Sequence, residues 1–358
     1  MSHTSTVFRV ATLATLIVGA GVGVGAAARV EVAEGPTVAD GSWQVAFERA
    51  FDEALLLREP AVSAWAAFEY AAFAEGRPGV LVGADGWLYT DEEFTLYADE
   101  DAEVARKLAL VEAARGRLEA AGATLVVALV PSKARLYPEH LGRYRLPAYA
   151  DARYEAFRAA LTDAGVLAPD LVGPLRAAKA EGPVFLRTDT HWTPHGARVV
   201  AEAVAEVTRG RVAGLGQETW TWTPGAEVVH EGDLLGFLPL GPLQGMGPAP
   251  DVVQLGEATG GGGGGGLFDT VTLPVVATGS SYTDQATWGF PGALRVALGA
   301  DVLEAADEGR GPFLPMLDYL EDAAFTETPP ALVVWEIPER FLPVADDLTP
   351  YPWLEEVL

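Results

Sequence analysis

The sequence has 358 residues, of which 50 are acidic and 24 are basic, giving a formal net charge of -26, and it contains no cysteine. This negative charge repels phosphate backbones, which argues against a nucleic-acid partner. Without cysteine, the chain forms no disulfide, no thiolate metal site and no thiol nucleophile.

The N-terminal segment has the composition of an export signal. Arg9 is followed by an uncharged stretch over residues 10–28, which ends in three alanines before Arg29. Its length approaches that of a membrane span, whereas the small residues at its end are typical of a signal-peptidase site. We therefore predict that residues 1–28 are either a cleaved signal peptide or an anchor that tethers the chain to a membrane through residues 10–28. Residues 29–42 are polar, contain Gly and Pro, and are predicted to be a spacer.

The folded domain is predicted to span residues 43–358. Between residues 43 and 74 apolar residues recur at helical spacing, and Pro60 separates two helices that we expect to cover a sheet. Two short segments of β-branched and aromatic residues, 80–82 and 87–89, flank an Asp-Gly turn and predict a β-hairpin.

Helical and strand-like segments then alternate along the chain. Helices are predicted over residues 102–121, 151–164 and 194–207, and strands over residues 124–130, 271–277 and 332–335. Continuous apolar runs of strand length indicate strands covered on both faces, so the alternation predicts an α/β layered fold with a parallel sheet. The unbroken glycine run over residues 260–266 predicts a flexible loop within one domain.

Two of the five histidines lie close together, at positions 191 and 195. Pro194 fits the first position of a helix with Thr193 as its cap, which places Asp189 and His191 on the preceding loop. The same histidine spacing occurs in zinc sites, but those need both rings on one helix face, and a helix that begins at Pro194 excludes His191. We therefore expect no metal here and an ordinary first-turn role for His195.

An aspartate two residues before a histidine can orient the ring as a general base for a serine nucleophile. The best candidate nucleophile is Ser281, which follows the predicted strand 271–277 in the run Thr278-Gly279-Ser280-Ser281-Tyr282. Glycine permits a sharp turn that presents a serine in a cleft, where neighbouring N–H groups can bind an oxyanion. The same run also fits an ordinary turn or helix cap, so both interpretations stay open on these residues alone.

Six short blocks are spread in order over residues 79–342. They are Gly83-Ala84-Asp85-Gly86-Trp87-Leu88-Tyr89, Val130-Pro131-Ser132-Lys133 with Tyr137-Pro138, Asp189-Thr190-His191-Trp192, Glu231-Gly232-Asp233-Leu234, Gly279-Ser280-Ser281-Tyr282, and Trp335-Glu336-Ile337-Pro338-Glu339-Arg340-Phe341-Leu342. Together these blocks resemble the alginate O-acetyltransferase family of SGNH hydrolase-like proteins, the AlgJ and AlgX type.

The resemblance implies an SGNH hydrolase-like three-layer α/β/α fold with a mostly parallel sheet and a circularly permuted order, in which Asp and His precede Ser. It implies Ser281 as nucleophile, His191 as general base and Asp189 as the orienting partner, without a cofactor. The implied protein is a periplasmic polysaccharide O-acetyltransferase, either secreted or anchored to the inner membrane. It would take its acetyl group from a membrane-bound O-acyltransferase partner and pass it from Ser281 to a polysaccharide hydroxyl.

Two alternatives stay open. One is a carbohydrate acetylesterase that uses the same three residues with water as acceptor. The other, from a different class, is a non-catalytic polysaccharide-binding or scaffold subunit of an export complex.

The acceptor presents a conflict of charge. Alginate is a polyuronate, and a chain of net charge -26 repels it unless basic residues form a local positive cleft. A less acidic exopolysaccharide is the alternative acceptor. The residues expected to contact the polymer are Lys133, Arg135, Arg187 and Arg340 through their charge, Trp192 and Tyr282 through stacking on sugars, and Ser280 beside the nucleophile.

Overall fold

A computed structural model describes residues 3–33, 35–261 and 273–354. The chain divides into two compact units, residues 1–75 with 238–247 and residues 76–237 with 248–358. The predicted domain start at residue 43 stays a prediction. Residues 271–272 of a predicted strand and residues 262–266 of the glycine run lie outside the described residues.

The first unit is helical and contains α1 (His3–Ala27), α2 (Ser42–Ala54) and α3 (Arg58–Phe73). The predicted helix pair is present, although Pro60 lies in the first turn of α3, where proline is tolerated, and the break precedes it. No residue of α2 is buried, and the expectation that the helix pair covers a sheet stays a prediction. Within residues 3–33, 35–261 and 273–354, none of the helices combines the length and the apolar composition needed to span a membrane.

The second unit begins with the predicted hairpin. Strand β1 (Val80–Val82) pairs antiparallel with β2 (Leu88–Thr90). Asp85 and Gly86 have φ values of 55° and 76°. This left-handed backbone is what a tight hairpin turn requires, and Asp and Gly tolerate it.

The predicted alternation of helices and strands is confirmed in the rest of the second unit. The helices are α4 (Glu100–Ala120), α5 (Lys133–Leu136), α6 (Ala148–Asp163), α7 (Val172–Ala178), α8 (Pro194–Thr208), α9 (Ser281–Asp284), α10 (Phe290–Leu298), α11 (Phe313–Glu321) and α12 (Ala323–Thr326). The strands are β3 (Thr124–Val130), β4 (Trp220–His230), β5 (Asp251–Gly260), β6 (Val275–Thr278), β7 (Val302–Glu304) and β8 (Leu332–Pro338).

The central sheet has the order β3-β8-β6-β7, and every neighbouring pair is parallel. All seven residues of β8 and six of the seven in β3 are buried. Successive side chains of a strand point to opposite faces, so both faces of these strands are covered. The predicted α/β fold with a mostly parallel sheet is therefore correct.

A second hairpin, formed by β4 and β5, was not predicted. Its strands pair antiparallel with an irregularity between Pro224 and Glu227, and most of its residues are not buried. A strand that contains proline and lacks a buried face gives little sequence signal. The pairing has a consequence for the site, because it places His230 opposite Asp251.

Candidate active site

The carboxyl ends of three neighbouring parallel strands converge on one region. Lys133 follows β3, Ser281 follows β6, and Glu336 lies in β8. The register pairs Thr278 with Trp335, so Glu336 lies beside the turn that leaves β6. In open α/β sheets, ligand sites form at this edge.

Ser281, His191 and Asp189 form a continuous series of hydrogen bonds. His191 Nε2 lies 2.8 Å from Ser281 Oγ, and His191 Nδ1 lies 2.6 Å from Asp189 Oδ1. Asp189 and His191 are buried, whereas Ser281 is partly exposed. The geometry meets the requirement that a general base contacts both a serine hydroxyl and an orienting carboxylate.

The turn that presents Ser281 is anchored on Glu336. The N–H of Ser280 donates to Glu336 Oε2 at 2.9 Å, and the Ser280 and Thr283 hydroxyls donate to the same oxygen at 3.0 and 3.2 Å. Burial raises the pKa of Glu336 to about 7, although the hydrogen bonds from Ser280 act in the opposite direction. Gly279 has a φ of 152°, and a Cβ there would lie 2.5 Å from the carboxylate, so the approach of turn and glutamate requires glycine.

The loop over residues 186–191, which carries the aspartate and the histidine, is closed at its base. Phe185 and Trp192 form an antiparallel bridge across it. Thr193 caps the following helix with its side chain, and Pro194 occupies the first helical position, as the sequence predicts. The loop is thus held between a β-bridge and a capped helix.

Lys133 holds this loop by its carbonyl groups. Its Nζ donates to the carbonyl oxygens of Leu186 at 3.1 Å and Asp189 at 2.7 Å. Burial lowers the pKa of Lys133 to about 8, although the charge of Glu93 opposes that change. Glu93 in turn accepts the N–H groups of Lys133 and Ala134 at 3.0 and 2.9 Å.

Two carboxylates bind the N–H side of the same loop. Asp251 accepts the N–H and hydroxyl of Thr188 at 2.8 and 2.6 Å. Asp233 accepts the N–H and hydroxyl of Thr190 at 2.8 and 2.5 Å. The loop backbone is therefore fixed by an ammonium group at its carbonyls and by carboxylates at its amides, which limits its movement around the histidine.

Asp189 has a second histidine partner, which the sequence did not predict. His230 Nε2 lies 2.7 Å from Asp189 Oδ2, and the N–H of Asp233 donates to the same oxygen at 3.0 Å. Burial alone would raise the pKa of Asp189, but hydrogen bonds from His191 and His230 outweigh it and hold that pKa well below its ordinary value. The only sequence signal was the block Glu231-Gly232-Asp233-Leu234, which directly follows His230.

Two buried aromatic rings contact the imidazole of His191. Trp288 stacks on it with ring centroids 5.1 Å apart, and the Tyr282 ring lies 4.6 Å away. Both rings are at most 2% exposed. They restrict the imidazole to the orientation that faces Ser281.

Three of the residues expected to contact polysaccharide are buried in the protein. Ser280, Tyr282 and Trp192 are exposed by 2%, 2% and 0%. Trp192 packs against Tyr282 and Phe290 with centroids 5.1 and 4.9 Å apart, and the Tyr282 hydroxyl donates to the carbonyl of Thr190. The prediction that they bind the polymer is wrong, because almost none of their side-chain surface is exposed in the described structure.

The local positive cleft that a polyuronate would require does not form from the four basic residues considered for it. Lys133, Arg135 and Arg340 are buried and bonded within the protein, Arg135 to Glu339 at 3.2 Å. The prediction that Lys133 and Arg340 contact the polymer directly is therefore wrong, because both side chains are buried and bond to other groups of the protein. Arg187 is only partly buried, and its contact with substrate stays a prediction.

The histidine pair considered as a metal site is engaged elsewhere. Both ring nitrogens of His191 are in hydrogen bonds, and His195 Nε2 lies 3.1 Å from the carbonyl of Ala178. Asp189, His191 and Asp233 offer ligand atoms within 4.8 Å of one another. A metal ion bound there would displace the bond between Asp189 and His191.

Comparison with known proteins gives one family. The family model for the SGNH hydrolase-like domain of the acetyltransferase AlgX matches residues 80–339. The chain is 43% identical over 332 residues to a probable alginate O-acetylase AlgJ of Pseudomonas syringae pv. tomato, covering 90% of this chain and 84% of that protein. It is 42% identical over 344 residues to a probable alginate O-acetylase AlgJ of Azotobacter vinelandii, with coverage of 92% and 87%.

A solved structure agrees with this result. The O-acetyltransferase domain of Pseudomonas putida AlgJ superposes with a TM-score of 0.73 at 41% identity, covering 78% of this chain and 99% of that chain. The structure of Pseudomonas aeruginosa AlgX superposes with a TM-score of 0.57 at 25% identity, covering 72% of this chain and 61% of that chain.

Proposed function

Because the chain belongs to the family of SGNH hydrolase-like acetyltransferase domains of the AlgX type, we propose that it is an O-acetyltransferase acting on hydroxyl groups of an exported polysaccharide. The observation that carries this proposal is the series of hydrogen bonds from Asp189 through His191 to Ser281, at 2.6 and 2.8 Å. Relatives 41–43% identical to the chain, named probable alginate O-acetylases, support the same activity.

The first half-reaction places an acetyl group on Ser281. Its Oγ attacks the carbonyl carbon of the donor while His191 Nε2 takes the hydroxyl proton, and Asp189 stabilises the imidazolium through Nδ1. The N–H of Ser281 makes no hydrogen bond to the described residues and can donate to the developing oxyanion. The donor's leaving group departs with the proton from His191, which leaves an acetyl ester on Ser281.

The second half-reaction moves the acetyl group to the acceptor. A sugar hydroxyl gives its proton to His191 Nε2 and attacks the ester carbonyl of Ser281. The bond between the acetyl carbon and Ser281 Oγ breaks, His191 returns the proton to Oγ, and the acetylated sugar leaves. Water in place of the sugar would give the acetylesterase reaction.

We propose an alginate-like polyuronate as the acceptor, on the names of the AlgJ relatives. The net charge of -26 still opposes the approach of a polyuronate. Arg187 is the one of the four basic residues considered that is partly exposed, and it is the residue we propose to meet a uronate carboxylate.

We propose further that a membrane-bound O-acyltransferase supplies the acetyl group in the periplasm and that residues 1–28 direct export as a signal peptide or anchor. Cell fractionation followed by N-terminal sequencing of the exported protein tests this point. A mature chain that begins near Arg29 would support cleavage, whereas a chain that keeps residues 1–28 in the membrane fraction would support the anchor.

Acetyl-enzyme formation tests the catalytic proposal. The protein is incubated with p-nitrophenyl acetate, and intact mass spectrometry measures the addition of one acetyl group, which peptide mapping should place on Ser281. Ser281→Ala and His191→Ala are expected to lose the adduct. His195→Ala is the matched control and should keep the adduct, because among the described residues the His195 ring hydrogen-bonds only to the backbone carbonyl of Ala178 in α7. Wild-type protein without an adduct on Ser281 would contradict the proposal.

The fate of the acetyl group distinguishes transferase from esterase. Oligomannuronate and a neutral glucan oligosaccharide are added separately to the acetyl-enzyme, and acetylated sugar and free acetate are measured. Acetylated oligomannuronate supports the proposal, and acetylated glucan would point to a less acidic acceptor. Acetate release at the same rate with and without sugar would identify an esterase.

A further inference from the structure

The carboxylate of Asp189 is bound from both sides by imidazole rings. His191 Nδ1 lies 2.6 Å from Oδ1, and His230 Nε2 lies 2.7 Å from Oδ2. Two backbone N–H groups complete its hydrogen bonds, that of His191 to Oδ1 at 2.9 Å and that of Asp233 to Oδ2 at 3.0 Å. Each oxygen thus accepts one backbone and one imidazole N–H, a distribution that fixes the plane of the carboxylate.

His230 reaches this position through the tertiary fold. It is the last residue of β4, and the antiparallel pairing with β5 places it opposite Asp251. Its ring meets Trp288 edge to face at 5.3 Å, while the same indole stacks on His191 at 5.1 Å. Trp288 therefore contacts both histidines that bond to Asp189. These contacts fix the orientation of the two imidazole rings relative to each other.

We propose that His230 is a positioning residue for the acyl-transfer site, which holds Asp189 Oδ2 so that Oδ1 faces His191. The inference rests on the function proposed above. Without His230, Oδ2 keeps only the N–H of Asp233, and the carboxylate can rotate away from His191. Misalignment of the orienting carboxylate removes the preference for the His191 tautomer that can accept the serine proton.

The protonation state of His230 affects the hydrogen bonds from Asp189 through His191 to Ser281. The groups that face it are the carboxylates of Asp189, Asp233 and Asp251, and the hydrogen bond to Asp189 is the main cause that raises the pKa of His230. A neutral His230 donates its N–H to Asp189 without adding charge. A protonated His230 competes with the imidazolium of His191 for the same carboxylate, so acidification through the raised pKa of His230 should slow acetyl transfer.

Three variants separate the role of the donor from the role of the charge. His230→Leu removes the donor and is expected to lower kcat/KM for acetylation by about tenfold to a hundredfold, the range for one charge-assisted hydrogen bond. His230→Gln keeps an N–H donor without a titrating group. It should recover most of the activity and shift the acidic limb of the pH profile to lower pH. His195→Leu is the matched control, expected to leave both quantities unchanged.

A second measurement does not depend on activity. The hydrogen bond to Asp189 should give the His191 Nδ1–H a far-downfield proton NMR signal, which is assigned by its loss in His191→Ala. We expect His230→Leu to shift or broaden that signal and His230→Gln to retain it. Thermal unfolding of each variant shows whether it is folded. If His230→Leu does not fold, the pH profile and the NMR signal of His230→Gln decide the question.

The outcomes distinguish this inference from the proposed function. If Ser281 is acetylated but His230→Leu has wild-type kcat/KM and an unchanged His191 signal, the positioning role is wrong. A His230→Gln variant with the acidic limb of the wild type would equally overturn it. If no acetyl-enzyme forms but the His191 signal depends on His230, then the positioning role holds and the acyl-transfer function fails.

Discussion

Glu336→Gln is expected to make the stability of the protein less dependent on pH. Glu336 is fully buried, and burial raises its pKa from an ordinary value of 4.5 to about 7. A group whose pKa is higher in the folded chain than in the unfolded chain contributes stability that is fully present below pH 4.5 and is lost as the pH rises to about 7. A tenfold change in the acidity constant is worth about 1.4 kcal/mol, so the loss is on the order of 3 kcal/mol.

The glutamine variant reproduces the neutral form of the side chain. Its amide oxygen can accept the N–H of Ser280 and the hydroxyl of Thr283, as Oε2 of Glu336 does. Its NH₂ group can donate to Ser280 Oγ, where a protonated carboxyl would place its hydrogen. The turn that presents Ser281 should therefore stay in place, and the cost of the buried charge at high pH should disappear.

Urea unfolding followed by tryptophan fluorescence measures this effect. The free energy of unfolding is determined for wild type and Glu336→Gln at several pH values between about 4 and 8. The wild type should lose about 3 kcal/mol relative to the variant as the pH rises across this range. Glu327→Gln, at an exposed glutamate of the same unit, is the control and should follow the wild type. A difference between wild type and Glu336→Gln that stays constant with pH, or that grows in favour of the wild type, would refute the reasoning.

Three further substitutions test the contacts that support the site. Gly279→Ala places a Cβ 2.5 Å from Glu336 Oε2, at a backbone φ of 152°. This variant should lose about 1–3 kcal/mol of unfolding free energy and should be acetylated more slowly at Ser281. A similar loss is expected for Gly232→Ala, whose Cβ would overlap the carbonyl of Thr188; a melting temperature equal to that of the wild type would contradict it. Lys133→Met removes the ammonium group that donates to the carbonyls of Leu186 and Asp189. Each buried carbonyl left without a donor should cost about 1–3 kcal/mol, measured by urea unfolding. Wild-type stability in this variant would show that the carbonyls do not need the lysine.

The buried strands could be read from the sequence because they are continuous apolar runs. The predicted strand over residues 124–130 has the same bounds as β3, and the strand predicted at 332–335 is the first part of β8. The hairpin of β4 and β5 could not be read, because its residues are mostly not buried and include Pro224. A strand that is buried on both faces is recognisable as a continuous run of apolar residues, whereas a partly exposed hairpin has a mixed composition that gives only a weak signal.

The local part of the candidate site was also accessible from the sequence. Asp189 and His191 are two residues apart, and the cap and proline that follow predicted their loop correctly. The contact with Ser281, 90 residues further along the chain, rested on the resemblance to a family and agrees with the 2.8 Å separation observed. No local pattern indicated that His230 would contact Asp189, because that contact depends on the pairing of two distant strands.

The sequence by itself therefore determined the buried strands, the capped helix after His191 and the residue types available for acyl transfer. These features depend on apolar runs, on proline and on hydroxyl side chains whose effects reach only a few residues. The tertiary structure alone decided which side chains are accessible, and it buried Lys133, Trp192 and Arg340 as supports of the site instead of leaving them open to a polymer. Burial is set by packing between segments that lie far apart in the chain. The sequence of a motif therefore does not show whether a charged or aromatic residue contacts substrate or instead supports a residue that contacts it.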